Sequence, residues 1–197
     1  MTRSIVVVRT RLLALAVAAV LLALVMWQLV GPRPGTTNAH AAAGSVHISM
    51  KVTGRKTGVF KGDDVASRRT SDLITVIAYQ YELVSPRDPV SGLASGKRQH
   101  KPVTITHELG GSSPQFLNAA ATNEVLTSVV IDFARADASG KETLFYVVTL
   151  TDASVSDVRQ STSGDTVLEE VSFTFRKIEQ DDKVAKTSFL DDWESTT

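Results

Sequence analysis

GKRQHKPVTITHELGGSSPQFLNAAATNE, Gly96 to Glu124, holds a basic loop, a strand signal, a double-glycine break and a helix signal in one run. PVTITHEL alternates Val103 and Ile105 with Thr104 and Thr106, the period of a strand with one wet face. Gly110-Gly111 ends it. Ser112 or Ser113 then caps a helix with Pro114 in its first turn, where a missing N–H costs nothing. Phe116, Leu117, Ala120 and Ala121 fall at helical spacing and form its expected inner stripe. At about three turns the helix is marginal alone, so it must dock on a sheet.

The flanking sequence is mostly of period two. Downstream, VLTSVVIDFAR (125–135), TLFYVVTLTDASVSDV (143–158) and VLEEVSFTFRKI (167–178) are separated by turn residues and predict an antiparallel meander. The middle segment is long enough to need a bulge or bend, placed near Asp152; Val171, Phe173 and Phe175 of the last face inward. Upstream, VHISMKV (46–52) is a strand and TGRKTGVFKGDDVASRRTSD (53–72) a polar connection with at most a small strand inside. LITVIAYQYEL (73–83) reads as one long strand with Leu73, Thr75, Ile77, Tyr79 and Tyr81 on one face. SPRDPVSGLASGKRQHK (85–101) carries two prolines and two glycines and reads as a long exposed loop or extended hairpin. EQDDKVAKTSFLDDWESTT (179–197) reads as a charged tail that Phe189, Leu190 and Trp193 anchor. These segments predict a mainly β protein, a small antiparallel β-barrel or sandwich with one short flanking α-helix.

The 197 residues include no cysteine, which excludes a disulfide framework and any thiolate zinc site. Up to Ala43 the charged residues are Arg3, Arg9, Arg11 and Arg33, with no acid. The 17 basic residues that remain face 21 acids, a net of −4 that argues against non-specific nucleic-acid binding. Leu12 to Val30 is uncharged and reads as a signal-peptide core, with cleavage near Ala41 or Ala43, or as a membrane anchor. Residues 1–43 are therefore expected to be leader and linker, and 44–197 one exported domain. The membrane enters only through residues 12–30, if they stay uncleaved.

Chemistry is sparse. Gly92 and Gly96 lack the helix and lysine of a phosphate loop. His100, His107 and Glu108 are close in sequence, but with His40 in the linker and His47 on another strand no third local ligand completes a metal site, and the histidines are expected to be solvated. Asp63-Asp64, Glu169-Glu170, Asp181-Asp182 and Asp191-Asp192 are expected to form a solvated acidic rim, since neighbours on a strand point to opposite faces. Ser112, Ser113, Ser139 and Ser163 sit in turns, none in G-x-S-x-G. Tyr79, Tyr81, Phe173 and Phe175 are expected to pack in the core, and the two tryptophans, Trp27 and Trp193, are few for a sugar platform. No catalytic, cofactor-binding or metal-binding residue is assigned.

The order of segments resembles the haemolysin-coregulated protein (Hcp) family, the tube protein of type VI secretion systems. The resemblance spans about Val46 to Trp193. It is carried by Gly96-Lys97-Arg98-Gln99-His100-Lys101-Pro102, the strand Val103 to Glu108, Ser112-Ser113-Pro114 with its helix, the hairpin at Gly140, Val171 to Ile178, and Phe189-Leu190-Asp191-Asp192-Trp193. The chain departs from the family pattern at Glu179-Gln180-Asp181-Asp182, where many members carry aromatics, and in its apolar leader. The resemblance implies a barrel that assembles into hexameric rings, with stacking into a tube through a loop like Ser85–Lys101. Such a tube is a conduit for effector or spike proteins and needs no cofactor or catalysis. A monomeric, membrane-tethered domain that binds an envelope partner is the alternative.

Overall fold

The computed structural model describes residues 45–62, 72–136 and 141–194. The expected leader, Asp63-Asp64, Ser139, the expected hairpin turn at Gly140 and the last three residues lie outside the described residues. From Ala43 to Thr197 the chain is one compact unit. Its described elements are β1 (Val46–Gly54), β2 (Gly58–Val59), β3 (Ile74–Val76), β4 (Ala78–Gln80), β5 (Leu83–Val84), β6 (Gln99–His100), β7 (Val103–Glu108), α1 (Ser113–Thr122), β8 (Val125–Ala136), β9 (Glu142–Ser163), β10 (Thr166–Asp182) and β11 (Thr187–Asp192).

The expected meander is present, with β8–β9–β10 paired in sequence order and antiparallel. β1 lies against β8, and β7 against β10. Asp152 takes φ 49°, and the inward set on β9 changes phase across it, from Val148 and Leu150 to Ala153 and Val155. That left-handed residue lets one long strand curve around the core without turning its apolar side chains outward.

The segment 73–83 is not one strand. β3 pairs with β1 and β4 with β7, and the two meet at Ile77, whose N–H donates to Thr106 O at 2.8 Å. The hydrogen-bonded order runs β2-β1-β8-β9-β10-β7-β4 and does not close by a ladder; this kinked segment spans the two edges. A strand that changes partners must rotate, so the inward face is Ile74 and Val76 before the kink and Tyr79 and Tyr81 after it, while Ile77 is 52% exposed. The expectation that Leu73, Thr75 and Ile77 share one face with Tyr79 and Tyr81 is corrected accordingly.

On α1 the buried residues are Ser113, Phe116 and Ala119, with Ala120 partly buried; Leu117 and Ala121 face solvent. At 100° per residue Phe116 and Leu117 cannot both point at the sheet, and the larger ring takes the site, against Phe60 (5.2 Å between centroids), His107 (5.6 Å) and Phe173 (6.0 Å). Ser112 is the N-cap residue but makes no side-chain cap bond; the Ser113 hydroxyl instead accepts the Gly110 N–H at 3.1 Å. Asn123, at φ 50°, ends the helix in the left-handed turn that short polar side chains tolerate.

The expected charged tail is a hairpin. β10 continues to Asp182, whose Oδ1 accepts the N–H groups of Val184 and Ala185, and β11 returns along it from Thr187. Glu179 to Asp182 are strand residues paired with Thr187 to Leu190. Alternation is hard to see there because an edge strand needs no continuous apolar face.

Candidate functional site

The exposed segment Ser85–Lys101 is a zipped arm. At its base β5 pairs with β6, and Lys101 N–H donates to Glu82 O at 2.9 Å. Farther out Ser95 N–H reaches Pro86 O, Arg87 bridges Ala94, and Asp88 N–H reaches Leu93 O at 2.8 Å. The Asp88 carboxylate makes the tip turn by accepting the N–H groups of Val90 and Ser91 and the Ser91 hydroxyl, and these bonds hold its pKa below the ordinary range. Gly92 supplies φ 71°. The ordered tip leaves Val90 94% and Leu93 70% exposed.

The arm is latched to the body at its root. Arg98 forks onto Asp191 of β11 with both carboxylate oxygens engaged. His100 Nε2 lies 2.9 Å from Asp191 Oδ2, and its Nδ1 lies 2.7 Å from the Tyr81 hydroxyl. The imidazole is walled by Tyr81, Phe175 and Trp193, and its side chain is 3% exposed. His100, Lys101, Pro102, Thr174, Phe175 and Trp193 line a notch of about 50 Å³ beside it.

A second polar group crosses three strands under α1. His107 continues the inward face of Val103 and Ile105, and Glu169 continues that of Val171 and Phe173. They are register partners, with His107 Nε2 2.9 Å from Glu169 Oε2, and Gln160 Nε2 donates to Glu169 Oε1 at 2.7 Å. Both side chains of the His–Glu pair are 0% exposed, so no substrate reaches them and their role is structural. The expectation of solvated histidines is thus overturned for both His100 and His107, and the solvated acidic rim for Glu169 and Asp191. Period two carried the signal: two residues on from Ile105 and two before Val171 are inward positions.

Glu124 has the same character. Its carboxylate accepts the N–H groups of Lys56 and Thr57 and the Thr57 hydroxyl, all at 2.7 Å, and fixes the β1–β2 turn. Gly54 makes room for it: a Cβ there would meet Glu124 Oε1 at 2.5 Å. Burial pushes the Glu124 pKa up, but the bonds from Thr57 and Lys56 outweigh it and the net shift is down. Asp191 is also lowered, first by the Arg98 bond, against desolvation, and then by His100. Groups lowered in the folded state stabilise it fully above their unfolded pKa of about 4, and that contribution is lost as pH falls through the folded value. We therefore expect Asp191→Asn to be less stable than wild type at pH 6, with the gap closing as pH falls toward 3 in urea unfolding. A constant gap would show that the carboxylate charge is not what latches the arm.

The remaining candidates do not converge. Glu108 is exposed, Glu170 pairs with Arg159 on the surface, and Asp181 and Asp182 sit at the hairpin end. His47 Nδ1 lies 3.1 Å from Glu142. Tyr79 packs edge-on against Phe133, and burial pushes its phenol pKa up. Among the described residues no three His, Asp or Glu side chains are placed to hold a metal, and no helix is long and apolar enough to cross a membrane.

Residues 49–181 match the family described as "Type VI secretion system effector, Hcp". The chain is 36% identical over 162 residues to the "Major exported protein" of Pseudomonas aeruginosa, covering 74% of this chain and 94% of that one. Among solved structures it is similar to an Hcp protein at TM-score 0.68 and 28% identity, covering 75% of this chain and 99% of the other. It is also similar to the secreted protein Hcp3 of Pseudomonas aeruginosa, at TM-score 0.63 and 32% identity, covering 77% of this chain and all of that one. Antiparallel sheet, arm and flanking helix accompany a sequence match across most of the domain, and the chain belongs to the Hcp family of type VI secretion proteins.

Proposed function

We propose that this chain is a non-enzymatic, ring-forming tube protein, a hexamer whose lumen conducts or holds effector or spike proteins. Residues 1–43 are its leader and linker, and 44–197 the exported barrel domain that builds the ring. Membership of the Hcp family supports the reading, and the name of the P. aeruginosa relative supports export. The observation that carries it is the arm. Beyond the latch at its root, this bonded hairpin carries two bare aliphatic side chains, Val90 and Leu93, out into solvent. Ordering such a segment costs about 1–2 kcal/mol per residue in backbone entropy, which a contact with another subunit offsets.

The latch dictates the test. Deleting all of Ser85–Lys101 would remove Arg98 and His100 and expose the aromatic cluster at the root, so the change is confined to Arg87–Ala94, replaced by a two-residue turn. The variant is expected to unfold at the wild-type urea midpoint but to lose higher assemblies of rings in sedimentation velocity. Unchanged sedimentation would take the arm out of assembly.

A further inference from the structure

A polar cleft of about 90 Å³ opens on the face of the sheet opposite the core and shares no lining residue with the His100 notch. β1 forms its floor. Met50 and Val52 point into the core, so His47 and Ser49 point the other way. β8 sets Asp132 opposite Ser49 and Ala134 opposite His47. β9 adds Leu144, opposite Ala134, and Glu142 two residues before it. Leu73, just ahead of β3 on the other side of β1, completes the lining.

Two polar groups in this cleft lack partners. His47 Nδ1 lies 3.1 Å from Glu142 Oε1, so that carboxylate is engaged. Asp132 has no hydrogen bond or ion pair among the described residues. Burial pushes its pKa up, against the more distant charge of Lys183. Lys183 is itself 2.9 Å from Asp181, and Lys51, the next outward residue of β1, pairs with Asp72 at 3.9 Å. Ser49 is 9% exposed, and its hydroxyl also has no partner among the described residues. A partly buried carboxylate and hydroxyl left in this state cost free energy that a bound donor recovers. Two carboxylates against one imidazole call for a cationic donor. Among the described residues no three side chains are placed to hold a metal, and Leu73, Ala134 and Leu144 wall the cleft with carbon. A cation on an aliphatic stem satisfies both conditions. By the space that a water needs, the cleft takes on the order of six heavy atoms, close to a butylammonium group. Its acceptors stand on three strands, β1, β8 and β9, which suits the three donors of an ammonium better than the flat fork of a guanidinium.

We propose that this cleft binds an alkylammonium group, its ammonium held by Asp132 and the Ser49 hydroxyl with Glu142 adding charge, and its stem lying along Leu73, Ala134 and Leu144. A lysine side chain of a bound protein and a free aliphatic amine share this chemistry. The site is built by one copy, so it stands apart from the ring-forming reading.

The test is a titration of the full chain, with isotope-labelled leucine methyls, against butylammonium chloride and separately against Nα-acetyl-lysine methylamide, at fixed ionic strength. The methyl signals of Leu73 and Leu144 are expected to shift and saturate, while those of Leu117 and Leu190, which do not line the cleft, stay put. Asp132→Asn is expected to weaken binding at least tenfold and Ser49→Ala several-fold. Ser49→Ala removes a single oxygen and keeps the test decisive should Asp132→Asn fold poorly. Saturable binding of either probe supports the site, and the tighter of the two tells a protein's lysine from a free amine. Shifts that grow without saturating, equally at Leu117 and Leu190, would overturn the proposal as a bulk salt effect. So would undiminished binding in both variants, or tighter binding of Nα-acetyl-arginine methylamide.

Discussion

Glu169→Ala is expected to destabilise the domain by about 3–5 kcal/mol, whereas Glu170→Ala, one residue away, changes stability by about 0.5 kcal/mol or less. The first change strands the buried His107 imidazole without the carboxylate that it contacts, while the exposed Gln160 amide turns to water. The second removes a surface ion pair whose side chains are 41% and 67% exposed, and such pairs contribute little. Urea unfolding of Glu169→Ala, Glu170→Ala and wild type measures the contrast. The combined change His107→Leu with Glu169→Met should recover most of the loss, because a buried polar pair costs more to break than to replace with apolar side chains of similar volume. Equal losses for Glu169→Ala and Glu170→Ala would contradict the buried-pair account.

Phe116→Ala is expected to cost about 3–5 kcal/mol. Its ring touches Phe60 near the end of β2, His107 on β7 and Phe173 on β10, so it joins α1 to both halves of the sheet and covers the buried pair. A ten-residue helix does not persist in water without such docking. Amide exchange across Ser113–Thr122 should therefore rise in the variant well before the meander β8–β10 opens. Leu117→Ala, at a side chain 46% exposed, should move neither stability nor exchange by much. A larger loss at Leu117 than at Phe116 would mean that the helix docks through its other face.

Which parts of this were legible in the sequence follows from what sets each pattern. β1, β7, β8 and β10 bury one face, and their alternation shows in Met50 and Val52, in Val103 and Ile105, and in Val171 and Phe173. The bend at Asp152 was legible because the segment 143–158 exceeds ordinary strand length. The kink at Ile77 was not. Nothing in LITVIAYQYEL breaks a strand, and the break comes from its two partners, β1 and β7, which sequence spacing does not reveal. The latch and the buried pair were hidden for another reason. Histidine and acidic residues are mostly exposed, and their burial here depends on partners far away in sequence: Asp191 for His100, Glu169 for His107. The inward parity of His107 and Glu169 was readable, and it outranks the average behaviour of the residue type.

The proposed assembly runs through surfaces that the fold leaves bare. The most direct test is the native mass of Gly44–Thr197, which holds the buried core found among the described residues, by light scattering over a concentration series. A sixfold mass that persists on dilution is expected. A monomer at every concentration would contradict it, leaving the Hcp fold in place and its function with a tethered, single-copy binding domain.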